Sequence, residues 1–368
     1  MKRFVFILLL ILSLSTFGVI KIGALLPLTG GVSSFGDMFK KGIELAWEEK
    51  NIVLGEKVEI VYMDTRSEKT EAANGAARLI DKEGVIAILG EILSSNSIAA
   101  GEVVEKKKVP MVTMSTNPLV TQGKKFVTRV TFIDPLQGFA LAEFASKKLK
   151  LKKVSVFTDI EQDYSVGLSN YFTGKFEKLG GQVLQLQYKS GDQEFSAQIS
   201  QAIKYGSEAI VITGYYNEIA LISQQARSMG YKGYILAGDG AAVPEIIKLG
   251  GQAVEGLYFS DHFHPDALGT KKSQLFIQAF EKKYGEKPST YSACGYDAYM
   301  LVIDAIERAK TKNSELIASA IRKTKNFEGV TGFITIDANG NALKDVLIIT
   351  IKNGKFEFFS KILAENLK

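Results

Sequence analysis

The chain has 368 residues, 46% of them hydrophobic and 23% charged, which excludes a disordered polymer and leaves room for two domains of ordinary size. Its single cysteine, Cys294, excludes an internal disulfide and any zinc site built from several thiolates. The net charge of +5 is spread along the chain, with no basic block interleaved with aromatics, so no nucleic-acid partner is expected.

Lys2 and Arg3 precede the apolar run Phe4 to Leu12, which is followed by Ser13, Ser15 and Gly18. This is the pattern of a cleavable secretory signal over residues 1–18, and the run is too short to span a bilayer as a helix. An uncleaved anchor is the rival reading. No cysteine follows the run, so no lipidated N-terminus is expected. A periplasmic or extracellular location is the expectation.

Strands and helices then alternate. Ile20 to Leu26 and Val58 to Tyr62 read as strands, Phe35 to Glu49 and Thr70 to Lys82 as helices. Val85 to Leu89 and Val109 to Thr113 are apolar runs of the kind found in buried parallel strands. Each ends in a hydroxyl-rich loop. The first holds Ser94 and Ser95, with a helix expected to start at Ser95 or Asn96 and cover Ile98 to Lys107; the second holds Ser115, Thr116, Asn117 and Pro118. A helix N-terminus beside hydroxyl donors suits an anion, and ligands sit past the carboxyl ends of parallel strands. Taken singly, Ser94 and Ser95 read rather as N-caps and Ser115 to Pro118 as a turn; two such loops on successive strands favour a binding site.

A second series follows. Helices are expected at Leu136 to Lys148, Ser165 to Leu179, Phe195 to Lys204 and Glu218 to Met229. Strands are expected at Val154 to Thr158, Val183 to Tyr188, Ala209 to Thr213, Tyr234 to Ala237 and Leu257 to Ser260. The tail has helices at Gln274 to Tyr284, Tyr291 to Ala309 and Ser314 to Lys323, then strands at Val330 to Ile336, Val346 to Ile351 and Phe356 to Phe359. The fold class expected is α/β, with two doubly wound parallel-sheet lobes. Placing the tail helices on the first lobe and the last hairpin on the second makes the chain cross three times, which gives a hinge. Lobe 1 would then comprise 19–133 with 263–341, and lobe 2 would comprise 134–262 with 342–368.

The usual catalytic signatures are missing. Gly123-Lys124-Lys125 lacks the rest of a phosphate loop, and Gly238-Asp239-Gly240 fails as a dinucleotide fingerprint because Val243 stands where the third glycine belongs. His262 and His264, on one side of an extended segment, read either as metal ligands or, preferably, as a polar crossover. Asp239 follows a second-lobe strand and faces a cation across the cleft if it is not simply a turn residue. Phe35, Tyr164 and Tyr215 flank other strand ends and read as pocket walls or as half-buried rim residues.

The chain resembles the leucine/isoleucine/valine-binding protein family, the type I periplasmic solute-binding proteins of ABC transporters. The likeness rests on Ile20-Lys21-Ile22-Gly23-Ala24 through Thr29-Gly30, Phe35-Gly36, Gly42-Ile43-Glu44-Leu45-Ala46, the two hydroxyl loops, Asp163-Tyr164-Ser165-Val166-Gly167, Gly238-Asp239-Gly240 and Gly295-Tyr296-Asp297-Ala298. It implies an inter-lobe cleft in which Ser94, Ser115 and Thr116 hold an amino acid's carboxylate and Asp239 holds its ammonium. Tyr164, Tyr215, Phe35 and Tyr291 would form the walls. It also implies no enzyme activity, no cofactor, no metal, a monomer, and delivery of the amino acid to the membrane subunits of an ABC permease. The acid is Asp where branched-chain binders often have Glu, and the second hydroxyl loop is one residue shorter than the common pattern. A binder of another small carboxylate or amide, or a ligand-sensing ectodomain, is the alternative.

Overall fold

A computed structural model describes residues 18–267 and 269–367. Residues 1–17 of the expected signal lie outside the described residues. Six strands form the first sheet: β1 (Val19–Leu26), β2 (Ile52–Val53), β3 (Glu56–Asp64), β4 (Ile88–Gly90), β5 (Met111–Thr113) and β6 (Val127–Arg129). Their order is β2-β3-β1-β4-β5-β6, all parallel except the β2–β3 hairpin. Helices α1 (Ser33–Glu49), α2 (Lys69–Asp81) and α3 (Ser94–Lys107) make the crossovers.

The chain leaves this sheet after Arg129 and runs through α4 (Asp134–Glu143), β7 (Lys153–Asp159), α5 (Asp163–Lys178), β8 (Gln182–Tyr188), α6 (Ser196–Tyr205), β9 (Ala209–Ile212), α7 (Tyr216–Ser228), β10 (Tyr234–Ala237), α8 (Glu245–Gly250) and β11 (Tyr258–Asp261). It returns for α9 (Lys271–Tyr284), α10 (Thr290–Ala309), α11 (Ser314–Arg322) and the small hairpin β12 (Phe327–Gly329) and β13 (Gly332–Ile334). A third passage leads to β14 (Val346–Lys352) and β15 (Lys355–Ile362), which extend the second sheet antiparallel in the order β15-β14-β11-β10-β9-β7-β8.

The five parallel strands of each sheet follow one order: second, first, third, fourth, fifth. Each therefore has a switch point, between β1 and β4 in the first sheet and between β7 and β9 in the second, where a crevice opens past the carboxyl ends. The middle strands are buried on both faces, as their unbroken apolar runs require; Ala209–Ile212 is buried throughout. Helix α10 lies against α1 so closely that a Cβ on Gly42 would fall 1.9 Å from the Ser292 carbonyl oxygen, and one on Gly295 would fall 2.2 Å from that of Phe39. Only glycine permits this backbone contact.

Three expectations change. The strand expected at Val330 to Ile336 is shortened to β13: Val330 and Thr331 form the turn that brings β12, which was not expected, antiparallel onto it, with Gly329 opposite Gly332. Strand β6 and helix α8 were not expected; both are short, and β6 ends in a charged residue. Helix α3 begins at Ser94, one residue before the earlier of the two expected starts, Ser95 and Asn96. No helix among the described residues is long and apolar enough to cross a membrane.

Candidate functional site

The first wall is built at the ends of β4 and β5. Glu91, fully buried, accepts from the backbone N–H groups of Ile92 and Leu93 at 2.7 Å each and from Thr65 Oγ1 at 2.6 Å. These bonds turn the chain into α3 directly at Ser94. Neither serine caps the helix. Ser94 Oγ accepts from Asn117 N at 3.2 Å, and Ser95 Oγ accepts from Asp163 N at 2.9 Å, the latter across the cleft. Ser115 serves the wall internally: its hydroxyl donates to Ile92 O at 2.7 Å and its N–H to Thr113 Oγ1 at 3.0 Å. Behind it, the wholly buried Arg129 donates to Ser115 O at 2.6 Å and Asn117 O at 2.9 Å. Burial pushes this guanidinium down to about 10, which leaves it charged at neutral pH. Thr116 accepts from Asp134 N, while among the described residues its own N–H and that of Ser94 have no protein acceptor.

The second wall centres on Asp239, which is buried rather than set in a surface turn. Oδ1 accepts from Gln137 Nε2 and Tyr164 OH, both at 2.8 Å, and Oδ2 from His262 Nε2 at 3.0 Å. Burial alone would raise this carboxyl, but the bonds from His262, Gln137 and Tyr164 hold it below its ordinary value. Burial lowers His262, and the pull of Asp239 does not restore it. The pair is therefore an Asp anion and a neutral imidazole carrying its proton on Nε2. His264 meets Phe356 O instead, at 3.3 Å, so the two rings do not converge as the alternation of an extended segment predicts.

Aromatic rings close the sides. Phe35 stacks on Tyr291 with centroids 4.3 Å apart, Tyr164 stacks on Tyr215 at 5.4 Å, and Phe35 meets Tyr215 edge-on at 5.6 Å. Tyr291, on α10, donates to Asp239 O at 3.1 Å. The Tyr215 hydroxyl is buried without a partner among the described residues.

All eight residues expected at a site (Phe35, Ser94, Ser115, Thr116, Tyr164, Tyr215, Asp239 and Tyr291) line one tight cavity between the lobes, of about 20 Å³. Sequence reasoning missed the supporting set Glu91, Arg129, Gln137 and His262. Arg129 leaves one visible signal, a lone charge in the apolar stretch Val127-Thr128-Arg129-Val130. The cavity thus presents hydroxyl and N–H donors on one side, a carboxylate on the other, and ring faces between. That is the complement of a small solute with an anionic end, a cationic end and an apolar body.

A family model described as "Periplasmic binding protein" matches residues 19–355. The chain belongs to the periplasmic binding protein family. Among curated relatives, the "Leu/Ile/Val-binding protein homolog 3" of Brucella melitensis biotype 1 is 30% identical over 331 residues, covering 88% of each chain. Among solved structures, the leucine-binding protein LivK of Thermotoga maritima is 57% identical with a TM-score of 0.93, covering 94% of this chain and 99% of that one. LivJ of Streptococcus pneumoniae, solved with isoleucine, is 32% identical with a TM-score of 0.88, again covering 94% and 99%. Relatives of this periplasmic binding protein therefore include branched-chain amino-acid binders of ABC transporters, and the family is one of solute-binding proteins rather than enzymes.

Proposed function

We propose that this periplasmic binding protein is exported, captures a neutral amino acid of the leucine type between its lobes, and delivers it to the membrane subunits of an ABC permease. The observation that carries this reading is the buried Asp239 anion facing unpaired donors at Ser94 and Thr116 across one small aromatic-walled cavity. A zwitterion buried there has each charge matched, which is required because an unpaired buried charge is strongly unfavourable. The carboxylate would meet the Ser94 hydroxyl and the Thr116 N–H. The ammonium would meet Asp239, and the side chain would meet Phe35, Tyr215 and Tyr291. Ser115 braces the wall instead of touching the ligand.

Because the two ends are gripped from different lobes, binding favours the closed form. The closing bodies would be 19–133 with 263–341 and 134–262 with 342–368. The protein would act as a monomer, without cofactor, metal or catalysis. Mass spectrometry of solute released from the purified protein, together with calorimetry against an amino-acid panel, tests this. Leucine, isoleucine or valine should be recovered and should rebind at one per chain. Tight binding only to carboxylates or amides that lack an amine would overturn the reading.

A further inference from the structure

We propose that His262 is a positioning residue of the ammonium site: it fixes the Asp239 carboxylate, leaves one oxygen site open to the ligand, and supports amino-acid binding only while its ring is neutral. This deepens the proposed function and rests on it. An ionised carboxylate offers about four acceptor sites. Gln137 and Tyr164 fill both on Oδ1, and His262 fills one on Oδ2. The remaining site is on the oxygen that His262 already grips, so the ligand's ammonium and the imidazole share Oδ2.

The ring has little freedom to move away. Its side chain is 0% exposed, the Phe132 ring lies 3.6 Å from it between centroids, and its backbone N–H donates to Asp261 Oδ1 at 2.7 Å. Gln137 is fixed in turn by Ser260 Oγ at 2.9 Å. Nδ1 is buried with no partner among the described residues, which suits a bare acceptor nitrogen and not a second N–H. A protonated ring would place an unmet donor there and a cation beside the ammonium on the same oxygen.

The charged groups facing this ring come from several elements. Asp239 follows β10 and favours the charged ring. Lys344, ahead of β14, and Arg129, on β6, oppose it, as does burial. Asp261, on β11, is itself pushed well up by burial, and Asp134, on α4, is pushed up to about 8 by burial, with Asp239 adding to the rise. By linkage, the factor by which protonation of His262 weakens the ligand is the factor by which the ligand resists that protonation.

The chain contains two histidines, so both imidazoles can be followed by NMR in the intact protein. Leucine affinity is measured by calorimetry from about pH 7.5 to about pH 5, the window in which histidine titrates, for wild type, His262→Gln and His262→Ala. Leucine should move the His262 midpoint down by about one unit, and wild type should then lose about threefold to sevenfold across this range, about tenfold being the limit below both midpoints. His262→Gln keeps a donor that cannot gain a proton; it should bind within about threefold of wild type near pH 7.5 and lose little on acidification. His262→Ala should bind about tenfold more weakly near pH 7.5. Equal pH losses in wild type and His262→Gln, or a His262 midpoint indifferent to leucine, would overturn the role of His262 alone. A wild type that binds no amino acid near pH 7.5 would overturn the proposed function, and this inference with it. A purely structural histidine would lower the stability of His262→Ala and leave the pH slopes alike.

Discussion

Glu91 and Arg129 hold the hydroxyl loops in place, and neither lines the cavity. Burial pushes the Glu91 carboxyl up to about 7, against the pull of Thr65, Leu93, Ile92 and Asn96. The folded state then holds a proton that the unfolded chain gives up near 4.5, so stability falls as pH rises from about 4.5 to about 7. Glu91→Gln should flatten that slope, removing up to about 3 kcal/mol of difference between the two ends. Urea unfolding at both ends of the range measures it, and an unchanged slope would mean that Glu91 does not titrate there. Arg129→Met leaves the Ser115 and Asn117 carbonyls without their donor. It should lower stability by about 3 kcal/mol and weaken ligand binding with it, read by thermal unfolding and calorimetry. Residues of this kind are hard to see in a sequence because their partners are backbone atoms brought near by folding. Asp239, Ser94 and Thr116 were visible because they stand directly after apolar runs. Their links to Asp239 were not: Tyr164 was expected only as a wall and His262 as a polar crossover, Gln137 was not expected at all, and the three lie 75, 23 and 102 residues from Asp239 along the chain.

At the scale of elements, the long alternating segments were legible because a doubly covered parallel sheet needs continuous apolar strands and amphipathic helices between them. What escaped was set by short-range backbone chemistry. The Val330-Thr331 turn takes the first two residues of one expected strand, and Leu54-Gly55, both at positive φ, turn the unexpected β2 back onto β3. The early start of α3 follows from Glu91 capturing two backbone N–H groups, which no helix-start pattern reports. That start matters for closure. Because α3 opens at Ser94, its second residue, Ser95, reaches the N-terminus of α5 and accepts from Asp163 N at 2.9 Å. Ser95→Ala removes a bond that exists only when the lobes are together. Affinity should fall about threefold to tenfold, as for a loss of about 0.5–1.5 kcal/mol. The melting temperature of the ligand-free protein should stay as it is. A melting shift as large as the affinity loss would show that the serine supports α3 itself.

For the whole molecule, three passages of chain between the sheets limit the lobes to a hinge motion. Bonds across the cleft are mostly at its rim: Asn117 Nδ2 donates to Asp163 O at 2.7 Å, Asp163 N to Ser95 Oγ at 2.9 Å, Ser34 Oγ to Glu245 at 2.5 Å, Tyr291 to Asp239 O, and Tyr216 and Asn217 to Gly31 O, with Lys69 3.4 Å from Asp163. A ligand that bonds to both lobes adds to these only in the closed form, which is the differential affinity that favours closure. Small-angle scattering should show a smaller radius of gyration with leucine than without it; identical profiles would mean that the lobes are closed at rest. The central claim is that Asp239 receives an amino acid's ammonium, and leucine compared with isocaproate, its deaminated analogue, tests it most directly. In calorimetry, Asp239→Asn should weaken leucine by roughly 30- to 4,000-fold, the effect of about 2–5 kcal/mol for a buried charge pair that loses one partner, and should leave isocaproate nearly unchanged. Equal leucine affinity in wild type and Asp239→Asn would contradict the account.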